Sequence, residues 1–265
     1  MASTEAEQIQ ALSGDPNFMT SFARGLAVVR AFSQQRQRLS VAQISARTGI
    51  SRAAVRRCLY TLARLGYVVS DDDRNFMLRA KILALGHAYL SSVPLATSAQ
   101  PVLDHVSVAV DESCSLATLD GDEIVYVARS SSSRRIMSID LSVGSRLPAF
   151  CTSMGRVLLA SLPASELGDY LKRLRTTPFT DRTITAKNKL QEVIAQARNA
   201  GYAIVDQELE IGLRSIAVPV ADARGHAAAA INISVQAQRV PIGEMEKQLL
   251  PALREASSEL ALLLR

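Results

Sequence analysis

The stretch Leu39–Val68 reads LSVAQISARTGISRAAVRRCLYTLARLGYV, two short helical patterns on either side of one glycine. Ser40 stands where it can cap a helix that turns Val41, Ile44 and Thr48 inward, and Gly49 suits the left-handed residue that ends it. Ser51 then caps a second helix with Val55, Leu59, Leu62 and Leu65 on its buried face, stopping at Gly66. Two helices joined by a tight turn containing Gly make a helix-turn-helix. An ordinary helical hairpin inside another core is the plainer reading. The outward face of the second helix argues against it, because it carries Arg52, Ala53, Arg56 and Arg57. Short or cationic side chains there permit close approach to base edges and phosphates.

The flanking sequence supports the same reading. Residues 20–34 form a helical pattern with Phe22, Leu26, Val29 and Phe32 at three-to-four spacing. Between Thr20 and Gly66 lie Arg24, Arg30, Arg36, Arg38, Arg47, Arg52, Arg56, Arg57 and Arg64, with no acidic residue. Arginines that only solvated helices would be interleaved with Glu or Asp, so this segment is read as a polyanion-binding surface. After Gly66 the period changes to that of strands: Tyr67–Ser70 and Asn75–Leu78 flank Asp71-Asp72-Asp73-Arg74. This hairpin is a wing, with Arg74 and Asn75 as its plausible DNA contacts. Ile82, Leu83, Leu85, Tyr89 and Leu90 then lie on one linker helix, a dimer contact closed by Pro94. Residues 1–17 are polar and read as a disordered arm.

At 265 residues with a net charge of +5, the chain has room for two modest cores. No apolar run suffices for a membrane span, and the N-terminus, with Glu5, Glu7 and Asp15, lacks a signal-peptide pattern. Cys58, Cys114 and Cys151 are scattered, as are His87, His105 and His226, so neither a disulfide framework nor a metal or cofactor site is expected. A reducing cytoplasm fits.

The rest of the chain mixes helices and strands. Helices are expected over 98–112, 152–162, 165–174 and 188–200, and from Ile242 to the end. Strands are expected at Ser115–Leu119, Ile124–Val127, through Met137, Ile139 and Leu141, and at Leu213–Val220 and Ala227–Val235. The fold class is therefore α+β with an antiparallel sheet. In the last strand Ile231, Ile233 and Val235 share one face, and Ala230, Asn232 and Ser234 share the other. A hairpin symmetric about Asp222–Gly225 would set Ser215 opposite Asn232 and Leu213 opposite Ser234. A solvent-exposed face normally carries charges. This one carries small uncharged groups, which points to a covered cavity. Ser153, Met154 and Gly155 open the helix near Thr152, where free N–H groups and the helix dipole favour a carboxylate. A routine Ser/Thr cap is the plainer reading there.

Four segments together resemble the IclR family of bacterial regulators: Leu39–Val68 above, GSRLPAFCTSMGRVLLASLP (Gly144–Pro163), GYAIVDQELEIGLRSIAVPV (Gly201–Val220) and AAAAINISV (Ala227–Val235). The wording around Pro148–Arg156 and Asp206–Glu210 resembles the subgroup that controls aromatic-acid breakdown through the β-ketoadipate pathway. Arg156 stands where much of the family carries Lys. The resemblance implies a winged helix-turn-helix followed by a GAF-like effector domain. It also implies effector contacts at Leu147, Ser153, Met154, Asp206, Ser215, Asn232 and Ser234. Arg134, Arg146 and Arg214 are further counterion candidates, with surface roles the plainer reading for each.

The expected organisation is an arm (1–17), a DNA-binding domain (18–80), a linker helix (81–95) and an effector-binding domain (96–265). Ser40, Ser51, Arg52, Ala53, Ala54, Arg56, Arg57 and Arg74 would meet a double-stranded operator, with Ser51, Ala53 and Ala54 setting the depth of the helix in the groove. The effector would be a small carboxylate, an aromatic acid or a β-ketoadipate-type catabolite, held at the Ser153–Gly155 helix start. The assembly would be a homodimer or a dimer of dimers. Two alternatives remain: a second domain that only oligomerises, and an enzyme using Cys151 or Ser153 as nucleophile. Against the enzyme, no His sits in a matching motif and no GxSxG or phosphate-binding loop is present.

Overall fold

The wing and the helix-turn-helix share one small sheet. In a computed structural model, residues 4–33, 36–72, 74–92, 94–131 and 141–264 are described. They divide into two units, Met1–Tyr89 and Leu90–Arg265. Within the stretch expected as a disordered arm, Glu5–Ala11 form a helix, α1. Thr4 Oγ1 accepts from the Glu7 N–H at 3.3 Å, while the Glu7 carboxylate accepts from the Thr4 N–H at 2.8 Å. This capping box, the buried Ile9 and an ion pair from Glu5 to Arg30 outweigh the polar composition.

Helix α2 (Thr20–Arg30) is followed by β1 (Leu39–Ser40), α3 (Val41–Thr48), α4 (Arg52–Arg64), β2 (Val68–Ser70) and β3 (Asn75–Leu78). Gly49 ends α3 at φ 73°, the left-handed conformation its position requires. Strand β3 lies between β1 and β2, with Leu39 opposite Phe76 and Val69 opposite Met77, which ties the wing to the residue that precedes the cap of α3. The buried stripe of α2 differs from the expected one. Ala27, Val28 and Ala31 pack into the core, whereas Phe22 and Leu26, together with Leu65 at the end of α4, are exposed and border an open apolar groove. The small side chains of Ala27 and Ala31 let α2 approach its neighbours closely, and that rotates Phe22 and Leu26 outward. Asp73 of the wing turn lies outside the described residues.

A short 3-10 turn leads into α5 (Leu83–Ser92). Helix α5 ends at Ser92, before Pro94 as expected, and Pro94 also opens α6 (Pro94–Val110), where its missing N–H is not needed. The second unit continues with β4 (Ser113–Asp120), β5 (Glu123–Ser130), β6 (Arg146–Pro148), α7 (Ser153–Ser161), α8 (Ala164–Arg173), α9 (Lys187–Ala200), β7 (Ala203–Asp206), β8 (Leu213–Ala221), β9 (Ala227–Gln236), α10 (Ile242–Gln248) and α11 (Leu250–Leu262). Strands β6 and β7, each too short to show a pattern, were not anticipated. The expected single C-terminal helix is interrupted at Leu249, just before Pro251, which cannot donate to a preceding turn. Met137 and Ile139, expected on a strand, and Arg134 lie outside the described residues.

The strands form one antiparallel sheet in the order β6-β5-β4-β9-β8-β7. Alternation divides it into two faces. Cys114, Leu116, Ile216, Val218, Ile231 and Ile233 pack against α6 and α11 in one core. Ala117, Tyr126, Leu213, Ala217 and Ala230 meet α7 and α9 in the other. The β8–β9 register differs from the symmetric one: Ser215 faces Ser234, Ala217 faces Asn232, and Leu213 faces Gln236. The hairpin loop is one residue longer than assumed, with the Asp222 N–H bonded to His226 O, and a bulge at Val220/Ala221 adds another. Two one-residue offsets preserve parity, so the polar face stays where the alternation put it.

Candidate functional site

On the first unit, Ser40 and Ser51 both act as helix caps. Ser40 Oγ accepts from the Gln43 N–H at 3.3 Å, and Ser51 Oγ accepts from the Ala54 N–H at 3.4 Å. Val55 and Leu59 anchor α4, leaving Arg52, Ala53, Arg56 and Arg57 exposed and Ala54 half-buried. No ion pair among the described residues engages those three arginines. The arginines do not share one edge, however. Arg57 borders the groove beside α2, whereas Arg52 and Arg56 project from the other flank of the helix with Tyr60, which is 67% exposed.

Two of the wing aspartates have local partners. Asp71 pairs with Arg38 at 2.7 Å. Asp72 accepts from the N–H groups of Asn75 and Arg74 and from the Asn75 side-chain amide, and these bonds hold its carboxyl well below the usual carboxylate range. Arg74 is exposed at the tip of the hairpin.

The second unit encloses a pocket between the polar sheet face and the start of α7. Six of the seven expected effector residues line it: Leu147, Ser153, Met154, Ser215, Asn232 and Ser234. Its free interior is about 20 Å³, room for roughly one water, so the walls must part to admit an organic ligand. Thr152, not Ser153, is the cap of α7, its Oγ1 accepting from the Gly155 N–H at 3.2 Å. That leaves Ser153 Oγ buried with no hydrogen-bond partner among the described residues, and Asn232 Oδ1 is in the same condition. The Asn232 amide nitrogen donates to Ser234 Oγ at 3.1 Å. A Cβ on Gly155 would fall 2.1 Å from Ala149 O, so glycine alone lets α7 start this close to the preceding turn.

Asp206 is not among the lining residues. Its carboxylate is held by Arg214 at 2.7 Å and Arg182 at 3.0 Å. Burial pushes its pKa up, but hydrogen bonds from Arg214 and Gln207 outweigh this and leave it below the ordinary value. Arg214 is thereby occupied, as is Arg146 by Asp120 and Glu123.

Sequence reading also missed a buried ion pair. Arg156 on α7 meets Glu208 at 2.7 Å, with side chains only 4% and 6% exposed. Arg156 also donates to Phe150 O, and Glu208 accepts from the Ile184 N–H. The pair pins the β7–β8 loop, whose Leu209 lines the pocket. Both residues stood inside the quoted motifs, but Asp206 and Glu210 flank Glu208 there, so charge alone does not single out the pair in the sequence. Burial, reinforced by Glu208 and opposed by Arg156, pushes the Cys151 thiol up to about 12, so it stays protonated at neutral pH.

Unpaired arginines on a groove-sized helix and orphaned polar atoms in a separate pocket are the two halves of a ligand-responsive transcriptional regulator. Residues 21–72 match the IclR helix-turn-helix domain and residues 87–262 match the bacterial transcriptional regulator IclR C-terminal domain, so the chain belongs to the IclR family. It is 53% identical over 260 residues to the Pca regulon regulatory protein of Pseudomonas putida, covering 98% of this chain and 89% of that one. It is 37% identical over 248 residues to the p-hydroxybenzoate hydroxylase transcriptional activator of Acinetobacter baylyi, covering 92% and 91%. A solved Acinetobacter PobR inducer-binding domain, a double mutant in complex with 3-hydroxybenzoic acid, superposes with a TM-score of 0.58 at 32% identity. It covers 62% of this chain and 96% of that one. Among the described residues no helix is long and apolar enough to cross a membrane, and no cluster suits a metal ion.

Proposed function

We propose that this regulator senses a small aromatic or β-ketoadipate-type acid in the second unit and converts its binding into a changed placement of paired DNA-binding units. One observation carries the reading: Ser153 Oγ and Asn232 Oδ1 are both buried, both without a partner, and both on the wall of one pocket. A buried polar atom left without a partner would cost about 1–3 kcal/mol, so both atoms call for a bonding partner inside the pocket, which a ligand oxygen or hydroxyl can supply. The relatives named for the Pca regulon and p-hydroxybenzoate hydroxylase, and the 3-hydroxybenzoic acid complex, support an aromatic-acid class. Ser153, the first turn of α7, Asn232, Ser215 and Ser234 would meet the ligand's oxygens. Asp206 would act through its arginines rather than by contact.

On the DNA side, Arg52, Arg56 and Arg57 supply the cations, with Arg74 at the wing and Ser40 and Ser51 placing helix starts against phosphates. The protein works in the cytoplasm as a homodimer or dimer of dimers. The open groove beside Phe22, Leu26 and Leu65 supports such pairing. A catalytic role is disfavoured by the protonated Cys151 and the unpartnered Ser153 hydroxyl, which no base activates.

Isothermal titration of the full chain with 4-hydroxybenzoate and protocatechuate tests the reading. Saturable binding that Asn232→Leu or Ser234→Leu abolishes, with DNA affinity of the free protein unchanged, is the expected result. Binding that survives both substitutions would move the pocket elsewhere. Turnover of the acid would make the protein an enzyme.

A further inference from the structure

A carboxylate taken into a pocket walled by Tyr126, Leu147 and Met154 needs a compensating charge, and the lining residues include none. The start of α7 offers only about half a unit charge. The arginines nearest to hand are committed: Arg146 to Asp120 and Glu123, Arg156 to Glu208, Arg182 and Arg214 to Asp206.

Arg129 on β5 is different. It is half-buried, and no carboxylate pairs with it among the described residues. Its register places it opposite Ser115, which in turn lies opposite Asn232. The three residues form a row on the pocket face, each about 5 Å from the next. One guanidinium nitrogen, Nη1, reaches along that row to donate to Ser115 Oγ at 3.3 Å while Nε donates to Ser131 Oγ at 3.3 Å, and Ser115 is only 2% exposed. Its charge is also felt at the pocket wall: burial pushes the Tyr126 phenol up to about 12, and Arg129 pulls it the other way.

We infer that Arg129 is the counterion of the effector's acid group and the residue that makes the pocket select acids over neutral analogues. The inference rests on the pocket reading above. A ligand would lie along the row with its carboxylate at Arg129, displacing the long contact to Ser115. Its hydroxyl or keto oxygen would meet Asn232 and the orphaned Ser153, so the start of α7 would receive a neutral oxygen rather than the acid.

The test compares 4-hydroxybenzoate with its neutral isostere 4-hydroxybenzamide by isothermal titration, using the full-length wild type, Arg129→Gln, Arg129→Lys and Asn232→Leu. The wild type is expected to prefer the acid by at least about tenfold. Arg129→Gln should bring acid and amide to parity by weakening the acid alone, and Arg129→Lys should restore part of the preference. Unchanged melting of the ligand-free variants would show that they fold. If Arg129→Gln keeps the preference while Asn232→Leu abolishes binding, the inference is overturned and the pocket reading stands. If no acid binds the wild type, or Asn232→Leu leaves binding intact, the pocket reading fails and takes the inference with it.

Discussion

Helices α4 and α7 begin alike and end up opposite. Each follows a Ser or Thr cap, Ser51 and Thr152, whose hydroxyl accepts from the N–H three residues on. Each carries arginine in its first turns. In α4 the arginines are exposed and, among the described residues, without an ion pair, while in α7 every residue from Ser153 to Ala160 is buried and Arg156 is matched to Glu208. The local capping rule is the same in both. What differs is the remaining circumference: α4 has one apolar stripe, and α7 is apolar nearly all round and sits between sheet and helices. An arginine on the first kind of helix is available to a polyanion. On the second kind it is structural, so α7 itself offers the pocket only small neutral groups and its first-turn N–H groups.

Substitutions can break or sharpen that contrast. The largest effect is expected from Arg156→Ala, which leaves the Glu208 carboxylate buried without a countercharge, held only by the Ile184 N–H. Chemical denaturation should show a loss of about 3–5 kcal/mol, whereas Arg56→Ala should move stability by no more than about 0.5 kcal/mol. Equal effects would mean that the two helices are not distinguished by burial in the way described.

For DNA the ranking reverses. Arg56→Ala should cost about 1–3 kcal/mol of operator binding in a gel-shift or fluorescence titration if it reads a base, and Arg156→Ala should cost little in the fraction that folds. Ser153→Ala removes one orphaned hydroxyl. It should weaken 4-hydroxybenzoate by about tenfold while leaving melting unchanged or slightly raised. The smallest expected change belongs to Arg57→Ala, placed beside the α2 groove. Binding should weaken evenly across sequences, with the salt slope reduced by about one. A sequence-dependent loss at Arg57 would move it into the base-reading set.

The same contrast explains what could be read without coordinates. Ser40, Gly49, Ser51 and Gly66 punctuate the helix-turn-helix by local rules, and exposed arginines declare themselves through a missing acidic complement, so that unit was legible almost residue by residue. The exceptions have physical causes. Phe22 and Leu26 satisfy helical spacing as well as the true stripe does, because Ala27 and Ala31 are too small to stand out in a sequence. Helix α1 was hidden by its polar composition, although Thr4 and Glu7 spell a capping box. In the second unit, period-two alternation placed Asn232 and Ser234 on the correct face, but the pairing partners depended on a bulge that leaves no clear mark. The Arg156–Glu208 pair and the Arg129–Ser115–Asn232 row join residues far apart in the chain. Such contacts become visible only once strand order and register are known.

A structure of the full chain with 4-hydroxybenzoate bound tests the central claim most directly. The account predicts ligand oxygens within about 3.2 Å of Ser153 Oγ and of the Asn232 side-chain amide, with the pocket widened and the Arg156–Glu208 pair intact. A ligand seated elsewhere, with Ser153 Oγ and Asn232 Oδ1 still unpartnered, would contradict it.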